Sequence, residues 1–150
     1  MNFMNQAFLL AKKAQSHNDV PIGAVIVHNG KIIARGENRV QKCKNPTLHA
    51  EIVAIHKACK KLDSKFLDDC DLYVTLEPCA MCATAISFAR IENIYFAATD
   101  KKGGGITSNA KIFESDKHLW KPKVIQMHEY ADKSTQLLKE FFENLRNKKG

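Results

Sequence analysis

Three features of the sequence predict an α/β fold built on a mixed sheet. Two short apolar runs, 22–28 and 31–36, flank Asn29-Gly30, the strongest two-residue hairpin signal. The later strand-like runs are separated by helix-length segments, and strands joined by helices after one opening hairpin give a mixed sheet. Both ends of the chain carry apolar residues at helical spacing.

The elements follow in order. The first helix spans Phe3 to Ser16, with Phe3, Ala7, Leu10, Ala11 and Ala14 along one side, and Asn18-Asp19 breaks it. The hairpin comes next, then a polar loop over 38–45. Pro46 suits the first position of a helix with Asn45 as its cap. That helix runs to about Lys61, with Leu48, Ile52, Ile55 and Cys59 on its apolar side. Residues 71–76 (DLYVTL) read as a central strand that Pro78 ends, 79–90 as a helix and 94–98 as a further strand. A glycine-rich loop near the surface covers 101–109, and 124–127 is a candidate fifth strand. The terminal helix covers 131–146, with Leu137, Leu138, Phe141, Phe142 and Leu145 as its apolar face. No repeat, low-complexity segment or boundary is visible, so 1–150 is read as a single domain.

Bulk properties narrow the classes. No apolar run reaches the roughly 18 residues of a membrane span, and the N-terminus lacks the basic start and cleavage site of a signal peptide. A cytoplasmic protein with no membrane partner is expected. The net charge of +7 suits a polyanionic partner such as nucleic acid, or equally a lysine-rich solvated surface. Five cysteines, an odd count in a cytosolic setting, argue against a disulfide framework. Only Cys79 and Cys82 have a metal-binding spacing.

The chemistry sits in two segments, His49-Ala50-Glu51 at a helix start and Pro78-Cys79-Ala80-Met81-Cys82 at a strand-to-helix junction. A C-x-x-C at a helix start aims both sulfurs at one point, and the helix dipole there favours thiolates. Two thiolates and one imidazole are three ligands, the number a catalytic zinc site uses while it keeps one position open for water. His49 offers Nδ1 or Nε2. His56, two helical turns on, stands about 10 Å away along the axis and is too far to share the ion. Glu51 lies near the metal without needing to bind it. It is the candidate acid–base group, against the plainer reading of a glutamate favoured by the helix dipole. The pattern H-x-E followed by P-C-x-x-C is the known signature of zinc deaminases acting on nucleobases.

On these residues, and on 20–25 (VPIGAV), Asn38-Arg39, 46–51 (PTLHAE), 72–82 (LYVTLEPCAMC), Asp100 with Lys102, and Phe141-Phe142, the chain resembles the cytidine deaminase-like superfamily. Within it, the chain is most similar to the bacterial tRNA-specific adenosine deaminases. The resemblance implies a cytidine deaminase-like three-layer α/β/α sandwich around a five-stranded mixed sheet, one Zn2+ per subunit between two helix starts, and a homodimer. It also implies hydrolytic deamination of adenosine to inosine at the wobble position of a tRNA anticodon loop, by zinc-activated water with Glu51 as proton shuttle. Asn38, eleven residues before His49, matches the asparagine that contacts the target base, or is a turn asparagine after a strand. The backbone at Ala50 would touch the base and Ile22 would pack near the flipped ring, though Ile22 also suits a core strand. Asp100, Lys102, Phe142 and Arg146 complete the expected substrate contacts. Their plainer versions are solvated loop charges, a core phenylalanine and a disordered basic tail.

Two departures stand out. Ala83-Thr84 replaces the more familiar Gly-Ala, and the loop Gly103-Gly104-Gly105 is richer in glycine than usual. The alternative is a free nucleobase or nucleoside deaminase for guanine or cytosine, since 55–59 and 67–70 also resemble guanine deaminases. A zinc-stabilised RNA-binding module without catalysis is a third reading, disfavoured by the presence of Glu51.

Overall fold

A computed structural model describes residues 2–149. The order is α1 (Phe3–Ser16), β1 (Gly23–His28), β2 (Lys31–Glu37), α2 (Val40–Cys43), α3 (Ala50–Leu62), β3 (Cys70–Leu76), α4 (Ala80–Phe88), β4 (Asn93–Ala98), α5 (Ile112–Ser115), β5 (Lys123–Gln126), a 3-10 turn (His128–Tyr130) and α6 (Ala131–Lys149). The strands form one five-stranded sheet in the order β2-β1-β3-β4-β5. The first three strands are antiparallel neighbours, and β3, β4 and β5 run parallel. Asn29 and Gly30 both take left-handed backbone angles, φ 52° and 75°, the geometry that a two-residue turn between twisted strands requires.

Period-two alternation sorts the strand residues into two cores. Ala24, Ile26, Leu72, Val74, Ile94 and Phe96 face α3 and α4. Ala97 and Tyr73 pack instead with Met4, Ala7 and Phe8 of α1 and Leu137 of α6. Helices on both faces of the sheet give the three layers. They also explain why β1 is buried from Gly23 to Val27. Two glycines set how closely the layers approach. A Cβ on Gly23 would lie 2.0 Å from the Ala7 carbonyl oxygen, and one on Gly36 would lie 2.3 Å from that of Ala50.

Several sequence expectations need correction. The second long helix starts at Ala50, not Pro46, with His49 as its N-cap residue. Asn45 does not cap it. Its side chain accepts instead from the N–H and hydroxyl of Thr47 at 2.9 and 2.8 Å, which closes a local turn. The buried face of α3 is Ala50, Glu51, Val53, Ala54 and Ala58. The larger Leu48, Ile52, Ile55 and Cys59 are only partly covered. Small residues win that face because α3 lies directly against Gly36. On α6, Phe141 is buried, but Phe142 and Leu145 remain 41% and 39% exposed, so they do not fill the core. The glycine loop is not wholly superficial, since Gly104, Gly105 and Ile106 are buried. The short helix α2 lies in the segment that reads as a polar loop, and α5 lies in a stretch to which the sequence assigns no element.

Candidate active site

The end of β3 and the starts of α3 and α4 meet at one point. His49 and Cys79 are the N-cap residues of α3 and α4, and Cys82 lies in the first turn of α4. One donor atom from each lies within 4.8 Å of the others. His49 Nδ1 faces both sulfurs, at 3.6 Å from Cys79 Sγ and 3.5 Å from Cys82 Sγ. Among the described residues this is the one group of three or more His, Cys, Asp or Glu side chains so placed. Two sulfurs and one imidazole converging at this spacing fit a tetrahedral zinc ion with a fourth position left over.

The electrostatics suit that ion. The Cys79 thiol is pushed down to about 4, first by the hydrogen bond from the Cys82 thiol, then, against burial, by His49 and the Cys82 N–H. Cys82 is the partner that keeps the proton and is pushed up, first by Cys79 and then by burial. The His49 ring is raised, chiefly by its hydrogen bond with Cys79. Glu51 occupies the first turn of α3 and is 4% exposed. Burial pushes its carboxyl up to about 7, partly opposed by its own backbone N–H. A carboxyl near that value exchanges protons in both directions at neutral pH.

A cleft of about 810 Å³ opens beside His49, and Ile22, Asn38 and Phe142 line it. Lys42 and Lys44 stand in the same wall. Asp100 and Lys102 line a second cleft of about 340 Å³, which shares Val20, Ile22 and Phe142 with the first. Phe142 therefore borders both. Arg146 is exposed on α6 and lines neither cleft. The Asn38 side chain is 5% exposed and bonded through both its nitrogen and its oxygen. Its Nδ2 donates to the Val20 carbonyl at 3.1 Å and its Oδ1 accepts from the Ala50 N–H at 2.8 Å. It ties the strand end to the start of α3, and Ala50 spends its N–H on that bond.

Sequence reasoning missed two buried carboxylates near the site. Asp19 accepts from the N–H groups of Gln41 and Lys42 at 2.7 and 3.2 Å, so it holds α2 against the first cleft. Its signal was an acidic residue in the break after α1, too common to single out. Glu77 directly precedes Pro78 and gathers the loop over 100–108. Its role is not legible within the LYVTLEPCAMC motif, because the loop that surrounds it comes 23 or more residues later in the chain.

Comparison with known proteins gives concordant findings. The family described as "Cytidine and deoxycytidylate deaminase zinc-binding region" matches residues 1–98. A tRNA-specific adenosine deaminase of Aquifex aeolicus is 43% identical over 145 residues, 97% of this chain and 95% of that protein. A structure solved in a study of A-to-I editing by tRNA:A34 deaminases superposes with a TM-score of 0.87 at 43% identity, covering 91% of this chain and 98% of that one. A guanine deaminase from Bacillus subtilis superposes with a TM-score of 0.64 at 47% identity, covering 66% of each chain.

Proposed function

Because the chain belongs to the cytidine and deoxycytidylate deaminase family of zinc-binding proteins, we propose that it hydrolyses adenosine to inosine at the wobble position of a tRNA anticodon loop. One observation carries the reading: a buried Glu51 beside a His49–Cys79–Cys82 donor set, in a fold that matches relatives named for that reaction over nearly their full length. His49, Cys79 and Cys82 hold one zinc ion per subunit. When bound, zinc supplies the Lewis acidity that ionises water near neutral pH.

The protein's own groups do the rest. Glu51 takes a proton from the attacking water and delivers it to a ring nitrogen of the base. It then takes the proton of the newly added hydroxyl and passes it to the departing amine as the C–N bond breaks, so adenosine and water yield inosine and ammonia. Burial keeps this carboxyl from ionising too early, which suits a group that must both accept and donate. Asn38 and Ala50 fix the floor of the base pocket, Ile22 flanks the flipped ring and Phe142 stands across the cleft. Asp100, Lys102 and Arg146 contact the RNA around it. Residues 1–150 act as one deaminase domain, at work in the cytoplasm where tRNA is.

The working unit is a homodimer. Met81 and Phe88 on α4, the helix that carries Cys82, are 38% and 68% exposed, and Trp120, whose carbonyl accepts from the Ser87 hydroxyl at the end of that helix, is 46% exposed. Covering these side chains with a second copy brings the interface close to the metal. Phe88→Glu places a charge in that contact, so light scattering at micromolar concentration is expected to give a dimer for the wild type and a monomer for the variant. A monomeric wild type removes the dimer.

Incubating the purified protein with tRNA bearing adenosine at the wobble position, and measuring inosine by nucleoside mass spectrometry, tests the reaction. The similarity to a guanine deaminase favours one second reading, a free-base deaminase. Turnover of guanine or cytosine with no inosine formed in tRNA would establish that reading instead.

A further inference from the structure

Glu77 takes no part in the chemistry above, yet it is 2% exposed and both of its carboxylate oxygens are filled by a single loop. Oε1 accepts from the Asp100 N–H at 3.1 Å and from the Ser108 hydroxyl at 2.9 Å. Oε2 accepts from the N–H groups of Ile106, Thr107 and Ser108 at 3.1, 2.9 and 3.0 Å. Successive backbone N–H groups converging on one oxygen form an anion-binding nest. Every partner is a donor and none is a cation. Only an acceptor-only side chain satisfies them all, because an amide would turn its own N–H2 towards them.

The same loop lies against the metal-bearing turn. Its Gly105 N–H donates to the Pro78 carbonyl at 2.8 Å, and Gly104 forms an antiparallel bridge with Cys79. A Cβ on Gly105 would sit 2.4 Å from the Ala80 nitrogen, and one on Gly104 would sit 2.5 Å from Glu77 Cδ. Gly104 and Gly105 of the unusual glycine triplet are what let the loop reach both. The other arm of the loop carries Lys101 and Lys102 into the wall of the second cleft.

We propose that Glu77 is a positioning residue for this site: its carboxylate pins the 100–108 loop onto the Cys79–Ala80 turn, fixing the Cys79 ligand and the lysine arm together. The proposal rests on the zinc deaminase reading, and its test has readouts that need no substrate. Glu77→Gln keeps the size and replaces one of the two acceptor oxygens with an N–H2 donor facing other donors. Cobalt(II) substituted for zinc reports thiolate geometry through its visible absorption, and release of zinc to a chromogenic chelator reports how firmly the turn is held. Groups that orient metal ligands typically change metal affinity or activity by about 10–100-fold. Glu77→Gln is therefore expected to shift the cobalt band, to speed zinc release at least tenfold or so, and to lower kcat/KM for tRNA by about as much.

Phe8→Leu, in the core on the opposite face of the sheet, supplies a variant of lowered Tm. It should leave the cobalt band and the zinc-release rate unchanged. If Glu77→Gln does not fold, Ser108→Ala removes one donor and should speed zinc release several-fold. A folded Glu77→Gln, or failing that Ser108→Ala, with the wild-type cobalt band and release rate overturns the proposal. A wild type that binds zinc but edits no tRNA overturns the substrate reading alone.

Discussion

Glu51 acquires its chemistry from where the backbone puts it. One residue earlier in α3 is the N-terminal Ala50, and one before that is the metal-facing His49, so the carboxyl is drawn inward at a helix start that solvent scarcely reaches. Burial raises its pKa to about 7, and the same burial makes the residue useless as a surface solubiliser. Glu51→Ala is expected to cut kcat by about 10²–10⁴-fold or more, the usual worth of positioned proton transfer. Zinc content should stay near one per chain, measured by atomic emission, because the metal's three protein ligands are untouched. Near-normal turnover in this variant would remove Glu51 from the mechanism. Removing the metal instead, by prolonged dialysis against a strong chelator, should abolish turnover and lower Tm, and added zinc should restore both.

At the scale of elements, the site depends on how α3 seats on the hairpin. Ala50, Ala54 and Ala58 form its contact face, and Gly36 of β2 leaves the space into which that face settles. Gly36→Ala would drive a methyl group to 2.3 Å from the Ala50 carbonyl oxygen and 2.8 Å from the Ala54 nitrogen. The helix must then move, and His49 and Glu51 move with it. A stability loss of about 1–3 kcal/mol by urea unfolding is expected, as for other overpacked interiors, together with a larger loss of kcat than the fraction unfolded explains. A variant as stable as wild type would mean that α3 is not seated this way. This contact also marks where the sequence stops being legible. Hairpin, central strand and C-x-x-C helix were readable because each is encoded within a few residues: Asn29-Gly30, the apolar run ending at Pro78, the spacing of Cys79 and Cys82. The ligand trio spans more than 30 residues, and it was readable only because H-x-E and P-C-x-x-C are each recognisable motifs. The alanine face of α3 was not, because apolar periodicity weights Leu48, Ile52 and Ile55, whereas close packing against a glycine selects the smallest side chains. The start of α3 was misread for a related reason: Pro46 with Asn45 is locally a good helix opening, but Asn45 bonds to Thr47 and the cap falls to His49, which the metal site needs. Glu77 and its loop are contacts between distant segments, invisible to any window of local sequence.

For the whole molecule, the question is whether the net charge of +7 serves a substrate or merely solubility. The position of the lysines bears on the choice, and the salt dependence of binding decides it. Lys42 and Lys44 stand in the wall of the cleft beside His49, Lys101 and Lys102 stand in the neighbouring one, and Phe142 lies between the two clefts with an exposed ring. Cations on either side of an aromatic face suit a single-stranded loop whose phosphates are held while one base is turned out. No helix among the described residues is long and apolar enough to cross a membrane. If each of the four lysines neutralises one phosphate, releasing counterions at about −0.7 per contact, log KM-derived affinity for an anticodon stem-loop should fall with log[salt] at a slope of about −2.8. Replacing Lys42 or Lys102 by Ala should weaken binding and make the slope shallower by about 0.7 each. Phe142→Ala should weaken binding as well, by the roughly 1–3 kcal/mol that a stacked base is worth, while leaving the slope unchanged because no charge is lost. The separation matters: a solvated, functionless lysine surface predicts no change in slope from either lysine variant, and a phenylalanine present only for folding predicts a lower Tm with an unaltered KM. Measured between 50 and 200 mM salt, a flat dependence on the stem-loop would detach the basic walls from the substrate, and the charge would then belong to solubility alone.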